Sequence, residues 1–332
     1  MSRLLLTVYT LFLLISGIWV SLFIWIQQPI ASVVTFVLII LWWGLSLWVF
    51  YSCLKSHHHQ AILQGLHLSA LVIVIGGFFL LHPSNKRDWK PEVDRLAQFR
   101  FSNGKVEIEN VRNFIWKDAD DYEIQWETRQ YDLDDLEQLD LILSHFVAGP
   151  VAHVFISFGF KDGEHLAFSL EVRQEKHEDF SVIGGFFRQY ELALVVGDEN
   201  DLVYTRSNIR DEKVYVYPIQ MNKTELQMLF VEYLSKANRL RHQPKWYNTL
   251  TSNCTTILFD LAEHATGQIP RDYRVLLPGL LPEYLYEHQQ LDSTLSLDEW
   301  RERAYINHKT ENLHQGPEQD GINFSRLIRE PD

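Results

Sequence analysis

The sequence predicts an α+β protein in two parts: three N-terminal transmembrane helices, then a soluble domain with an antiparallel sheet and a cysteine-bearing helix. Three observations carry that prediction. From Leu4 to Leu81 there is no Asp or Glu and Lys55 is the one permanent charge, while every carboxylate lies beyond. Past Lys105, short apolar segments alternate with a period of two between polar turns, as strands do. Two later segments switch to helical period, and the second of them opens at Cys254. The implied organisation is a membrane domain over 1–82, a tether over 83–100, the soluble domain over 101–307 and a polar tail over 308–332.

Leu4 to Ile26, Ile30 to Cys53 and Ala61 to Leu81 are each long enough for a hydrocarbon core of roughly 30 Å, which takes about 20 helical residues. No small-residue cleavage site follows the first run and two more apolar runs come directly after, so it reads as an uncleaved anchor and not a signal peptide. The loop around Gln27-Gln28-Pro29 is uncharged, whereas Arg3 and Lys55 flank the other sides. Positive charge stays on the cytoplasmic side, so the N-terminus is expected there and Pro83 onward outside; Lys86, Arg87 and Lys90 pull weakly the other way. The chain has 43 acidic and 30 basic residues and a net charge of −13. Such a charge disfavours nucleic acid and broad adhesion to an anionic bilayer, which leaves the spans to hold the domain near lipid. Cys53 lies in the second span and Cys254 in the soluble part, so no disulfide is expected between them.

In the soluble part, Val106, Ile108 and Val111, then Tyr122, Ile124 and Trp126, predict a first hairpin. Asp132-Leu133-Asp134-Asp135-Leu136-Glu137 reads as an acidic helix start before Leu139, Leu141, Ile142 and Leu143. Val151 to Phe160 is apolar on both faces, a buried strand. Asp162-Gly163 then turns the chain into a return strand with Leu166, Phe168, Leu170 and Val172 on one face and Ser169, Glu171 and Arg173 on the other. Counting outward from the turn sets Glu171 near His153. Phe186 to Val196, Asp201 to Thr205 and Lys213 to Tyr217 read as further strands. Asn222 and Glu225 have capping-box spacing before a helix that ends near Leu240. Thr251, Ser252 and Asn253 are cap-type residues ahead of Ile257, Leu258, Leu261 and Ala262, which places Cys254 in a first helical turn. The apolar run Leu276 to Pro282 is either a lip facing membrane or substrate, or a loop packed on the domain.

A thiol in a first helical turn feels the positive end of the macrodipole, and the unpaired amides there can receive an oxyanion. Asn253 and Ser252 are candidates for oxyanion or cap support. If His153 approaches Cys254, it can take the thiol proton and return it to a leaving group, with Glu171 holding the ring and Ser169 as the alternative orienting residue. That is a constellation for acyl transfer through a thioester. Blander readings stand beside it: a buried structural cysteine, a hydrogen-bonded core histidine, and a Glu171 paired with Arg173 or solvent. Consecutive His57-His58-His59 point in different directions, and His264 is on the wrong face of its helix to share ligands with Cys254. Asp198-Glu199-Asn200-Asp201 lacks the glycine and final glutamate of a calcium loop and reads as a solvated turn. No metal and no cofactor are expected.

The strand Ala152 to Phe160, the segment Ser169-Leu170-Glu171-Val172-Arg173, Tyr190-Glu191-Leu192 and the run Tyr247 to Thr256 together resemble the periplasmic domain of the Lnb-type lipoprotein N-acyltransferases, over roughly Phe101 to Ala265. The His-before-Cys order is more loosely similar to circularly permuted NlpC/P60 papain-like enzymes. The resemblance implies a papain-like (permuted NlpC/P60-like) domain held at a bacterial inner membrane and a ping-pong reaction. Cys254 would take an acyl group from a phospholipid donor and pass it to an amine acceptor, by analogy a lipoprotein N-terminus. Cys254, His153 and Glu171 carry over to that scheme. The chain departs from the family pattern in setting its helices before the domain. A papain-like amidase or peptidase of the cell envelope, and a non-enzymatic membrane-anchored binding or scaffold protein, are the competing functions.

Overall fold

The computed structural model describes residues 3–28, 32–55, 59–102, 105–267, 269–314 and 321–330. The chain forms two compact units, Met1–Pro83 with Phe180–Tyr190, and Ser84–Asp179 with Glu191–Asp332.

The first unit contains α1 (Arg3–Gln27), α2 (Ser32–Lys55) and α3 (Gln60–Leu80), each long and apolar enough to cross a membrane. Leu13, Val20, Trp42 and Val49 are buried between the helices, but many of their apolar residues face outward, with Ile15, Val33, Ile40 and Ile73 among the most exposed, as suits helices solvated by lipid. Close packing of α1 on α2 needs a glycine, because a Cβ at Gly17 would meet the Trp43 ring at 2.7 Å. The Trp43 indole N–H donates to Ser21 Oγ at 2.9 Å. Residues 180–190 join this unit through hydrogen bonds. The Arg188 guanidinium donates to the carbonyls of Phe78, Phe79 and Leu81 at 3.0, 3.4 and 3.2 Å, at the end of α3, where a helix leaves its last carbonyls short of intrahelical partners. Gln27 Nε2 donates to the carbonyls of Phe187 and Arg188 at 2.7 and 3.2 Å. The strand expected from Phe186 therefore starts only at Glu191: residues 184–186 form a 3₁₀ turn, and Arg188 takes a positive φ of 57°.

Among the described residues the second unit has ten strands: β1 (Gln98–Ser102), β2 (Lys105–Arg112), β3 (Ile115–Trp116), β4 (Tyr122–Glu123), β5 (Trp126–Asp132), β6 (Leu136–His145), β7 (His153–Phe160), β8 (His165–Arg173), β9 (Glu191–Asp198) and β10 (Lys213–Pro218). The main sheet runs β1-β2-β9-β8-β7-β6-β10, with β5 also on β2, and β3 and β4 form a separate pair. Pairing is antiparallel except where β2 meets β9 through Arg112 and Gly197. There the backbones approach so closely that a Cβ at Gly197 would lie 2.8 Å from the Arg112 carbonyl. Helices α4 (Glu199–Tyr204), α5 (Lys223–His242), α6 (Cys254–Thr266), α7 (Leu281–Glu287), α8 (Leu297–Ala304), α9 (Asn307–Thr310) and α10 (Gly321–Leu327) complete the unit. The sheet is covered on both faces. Ile156, Phe158 and Phe168 meet Leu229, Phe230 and Tyr233 of α5 and Ile257 and Leu261 of α6. The alternate residues Ile142, Phe155, Ala167 and Val195 pack with Leu202 and Val203 of α4 and Phe324 of α10.

Four expectations are corrected. The helix start before Leu139 is a single 3₁₀ turn, Leu133–Asp135, capped by Asp132, after which the chain extends as β6. A run buried on both faces carries no periodicity to separate strand from helix. Asp201 to Thr205 is helical and not a strand, because Asp198 accepts the Asn200 N–H and starts α4, which continues as a π turn over Thr205–Ile209. The solvated turn at 198–201 is instead a buried anchor: Asp201 accepts from Arg112 Nε and Nη2 at 2.8 and 2.9 Å, from Phe114 N–H at 2.9 Å and from Trp116 Nε1 at 2.8 Å. The described residues of the segments read as tether and tail contribute buried side chains to the second unit. Trp89, Val93, Leu96 and Ala97 are buried at one end and Phe324 and Ile328 at the other. The loop at 276–282 packs against the domain through Leu281, while Leu276 stays exposed. His57 and His58 of the histidine run lie outside the described residues.

Candidate active site

Two elements deliver the site. The first is the β7–β8 hairpin, whose register pairs Ile156 with Phe168 and Ser157 with Ala167 and, continued outward, sets His153 across from Glu171 as the sequence count predicts. Both side chains, with Ser169, fall on the alternate face that carries Phe155, and the His153 and Phe155 rings stack at 5.5 Å. The second is α6. Asn253 is its N-cap, accepting from Thr255 and Thr256 N–H at 3.0 and 2.8 Å while the Asn253 N–H donates to Thr256 Oγ1 at 2.9 Å. That reciprocal box fixes the first turn.

Asn253 is therefore cap support. Its Nδ2 donates to the Thr249 carbonyl at 2.8 Å, so its amide is fully engaged. Ser252 holds the preceding turn through its backbone, exchanging hydrogen bonds with Asn248 at 3.0 and 3.1 Å. The amide of Cys254 itself is the first of the helix, where no intrahelical acceptor exists. Asn253→Ala is expected to cost about 1 kcal/mol of stability, seen as a lowered melting temperature, and to loosen the thiol's position.

Cys254 lies near enough to His153 for the imidazole to act on the thiol, and its Sγ is 3.9 Å from Thr255 Oγ1. Cys254 and His153 meet at the N-terminal end of β7. Ser169 Oγ donates to Glu171 Oε1 at 2.6 Å and lies 2.7 Å from His153 Nε2. Because that hydroxyl proton is already given to Glu171, Ser169 accepts from Nε2–H, which commits Nε2 and makes Nδ1 the nitrogen available to exchange a proton. Glu171 Oε1 also lies 3.4 Å from Nε2 directly. Ser169, expected only as an alternative, is thus the closer partner and relays Glu171 to the ring.

Arg206 was not legible in the sequence. It sits in the π turn after α4, its Nη2 donates to Glu171 Oε1 at 2.6 Å, and its guanidinium lies 5.2 Å over the Phe155 ring. With residues 201–205 read as a strand, nothing placed Arg206 beside β8; the cap-type Asp198 before Leu202 and Val203 is the signal that marks a helix there. The bland reading of Glu171, an ion pair with Arg173, does not hold: Arg173 bonds the carbonyls of Val93 and Asp94 and the Asn85 side chain.

Charge in the site is ordered by burial and by these neighbours. Burial alone would lower the imidazole, but the Glu171 carboxylate outweighs it and raises His153 to about 9. Burial would raise the thiol, but the hydrogen bond and charge of His153 turn Cys254 downward. Burial likewise opposes ionisation of Glu171, and His153 and Arg206 together hold it well below the usual carboxylate range. The resting state this favours is a thiolate beside an imidazolium, which is stable from the lowered thiol value up to about pH 9. Thiol alkylation by a small reagent is therefore expected to begin below the ordinary thiol range. Glu171→Gln removes the charge that raises His153, so the alkaline limb of thiol reactivity is expected to move down from about 9; a limb unchanged in the variant would show that Glu171 does not set the imidazole.

Among the described residues no group of three or more His, Cys, Asp or Glu is arranged to hold a metal ion. No curated protein and no solved structure matches the chain. Residues 122–279 match the family described as the Lnb N-terminal periplasmic domain, a range that contains His153, Ser169, Glu171, Arg206 and Cys254. Three helices long and apolar enough to cross a membrane precede that range, so the chain is a membrane-anchored protein with a region similar to the Lnb N-terminal periplasmic domain.

Proposed function

We propose that the protein is a cysteine acyltransferase that takes an acyl group from a phospholipid and passes it to an amine. The observation that carries this reading is the linked set Cys254, His153, Ser169 and Glu171, ordered by Arg206 and presented at a helix N-terminus in a membrane-anchored domain. Residues in that geometry act as nucleophile, proton carrier and orienting groups.

In the first half-reaction the Cys254 thiolate attacks the ester carbonyl, forming a C–S bond. The carbonyl oxygen takes the negative charge against the Cys254 N–H and the positive end of α6. As the carbonyl reforms, the C–O bond to the glycerol breaks and the His153 imidazolium gives its proton to that oxygen, releasing a lysophospholipid. In the second, an amine attacks the thioester, His153 takes the proton the amine loses, a C–N bond forms and the thiolate leaves. Ser169 and Glu171 keep Nε2 protonated throughout, so Nδ1 is the nitrogen that exchanges the proton. By family likeness the acceptor is the N-terminal amine of a lipoprotein's diacylglyceryl-cysteine. With an odd number of crossings and a periplasmic domain, the N-terminus lies in the cytoplasm of a bacterial cell and the helices in its inner membrane.

Full-length protein incubated with phospholipid is expected to gain the mass of one acyl group, on Cys254, that neutral hydroxylamine removes, and to lose it to an added amine with formation of an amide. Release of free fatty acid in place of the amide would make the protein a hydrolase. Absence of any adduct, with cleavage of an envelope peptide, would favour the amidase reading.

A further inference from the structure

Helix α6 has a stripe that its core face does not explain. Ile257, Leu261 and Ala265 are buried in the core, yet Cys254, Leu258, Ala262 and Thr266, spaced by four along one side of the same helix, are only half-buried. Residues at that spacing lie one above another. Three of the four border a cavity of about 370 Å³ inside the second unit, within the roughly 300–1,000 Å³ of small-molecule sites. Its walls include Leu141 and Ile156 from the sheet, Leu229 and Tyr233 from α5, Leu258 and Ala262 from α6 and Leu281 and Leu285 from α7, and Gln220, Glu225, His288 and Gln290 add polar groups to the lining. The fourth member of the stripe is the nucleophile, one turn beyond Leu258. Continuity with the sulfur has a second sign: Cys254 packs against both apolar clusters that flank the cavity, and the Tyr233 hydroxyl on its wall feels the Cys254 charge.

We infer that this cavity holds the acyl chain carried by Cys254, threaded along α6 from the sulfur towards Thr266; the inference rests on the acyltransferase reading. A peptide strand needs partners for all its backbone N–H and C=O groups, and most of the side chains lining this cavity, Leu, Ile, Met, Phe, Ala and Pro among them, offer none. A polymethylene chain needs none. From Cys254 to Thr266 the helix rises about 18 Å, the reach of a long extended chain, and each methylene buried adds about fourfold to affinity. The cavity thereby measures chain length and shields the thioester.

The test uses the full chain in lipid nanodiscs and the variant Ala262→Phe, which fills the cavity without touching the thiol. Adduct formation from a hexadecanoyl donor is expected to fall about tenfold or more, while adduct formation from a butyryl donor and alkylation by iodoacetamide stay within about twofold. Unchanged hexadecanoyl labelling in the variant overturns the cavity and leaves the chemistry of Cys254 standing. If no donor of any length labels the wild-type protein, the acyltransferase reading fails, and a hexadecanoic acid probe with a terminal diazirine decides the cavity in Cys254→Ser. The same probe decides if Ala262→Phe does not melt cooperatively. Crosslinks to Leu229, Leu258 or α7 support the site, and crosslinks confined to α1, α2 and α3 overturn it.

Discussion

Cys254→Ser is expected to lower acyl-adduct formation by about 10⁴-fold or more. The site is arranged for an ion pair, with the thiol turned downward and His153 raised to about 9. A serine hydroxyl in the same place is not ionised by an imidazole of that strength and would sit beside the imidazolium as a spectator. His153→Ala is expected to cost less, about 10² to 10⁴-fold, because the thiol survives and raising the pH restores part of its thiolate. The two losses are not additive, since both residues serve one proton transfer. Rates of hydroxylamine-sensitive labelling across pH measure this directly. A serine variant that keeps the full rate would return Cys254 to a structural role.

Arg329→Met is the second large effect, on stability. Arg329 Nη2 lies 2.7 Å from Asp140 and 2.5 Å from Glu199, whose side chains are 1% and 0% exposed. Removing the cation strands two carboxylates in the core, a loss of about 3–5 kcal/mol. The pH dependence fixes the cause. Burial alone would raise Glu199, but Arg329 outweighs it and holds the carboxyl at about 2, below its ordinary 4.5. In the wild type this group stabilises the fold above about pH 4.5 and the benefit is lost as pH falls towards 2. In the variant the Glu199 carboxylate loses the cation that holds it down against burial, so the deficit is largest at neutral pH and shrinks in acid. Thermal melting of the full-length protein at several pH values separates this from a plain packing defect, which would be independent of pH.

The parts of this fold that were legible are those written in local chemistry. The three spans follow from apolar length, the turn at Asp162-Gly163 sets the β7–β8 register, and cap residues before Cys254 place it at a helix start. Counting from one turn thus brought His153 and Glu171 together, since an antiparallel hairpin leaves little freedom between turn and pair. What the sequence concealed was long-range. Leu139 to Leu143 shows no period because both faces of β6 are covered. The carboxylates at 198–201 look like surface because their partners, Arg112 and Arg329, lie far away along the chain. Arg206 was hidden for the same reason: its place beside Glu171 depends on a π turn, and such turns leave no regular spacing to read.

The clamp of Arg188 on the last carbonyls of α3 sets an order of events during synthesis. Leu81 and Arg188 are 107 residues apart, which at bacterial and eukaryotic elongation rates is a delay on the order of 5–20 s. The three helices must therefore insert and wait without the Arg188 clamp on α3, and their unit is finished only after six of the eight strands of the main sheet have been made. A fragment that begins at Ser84 never reaches that stage. It carries Phe187 and Arg188 without the helices that receive them, so the soluble part is expected to be poorly behaved when expressed alone and well behaved when the first 83 residues are supplied.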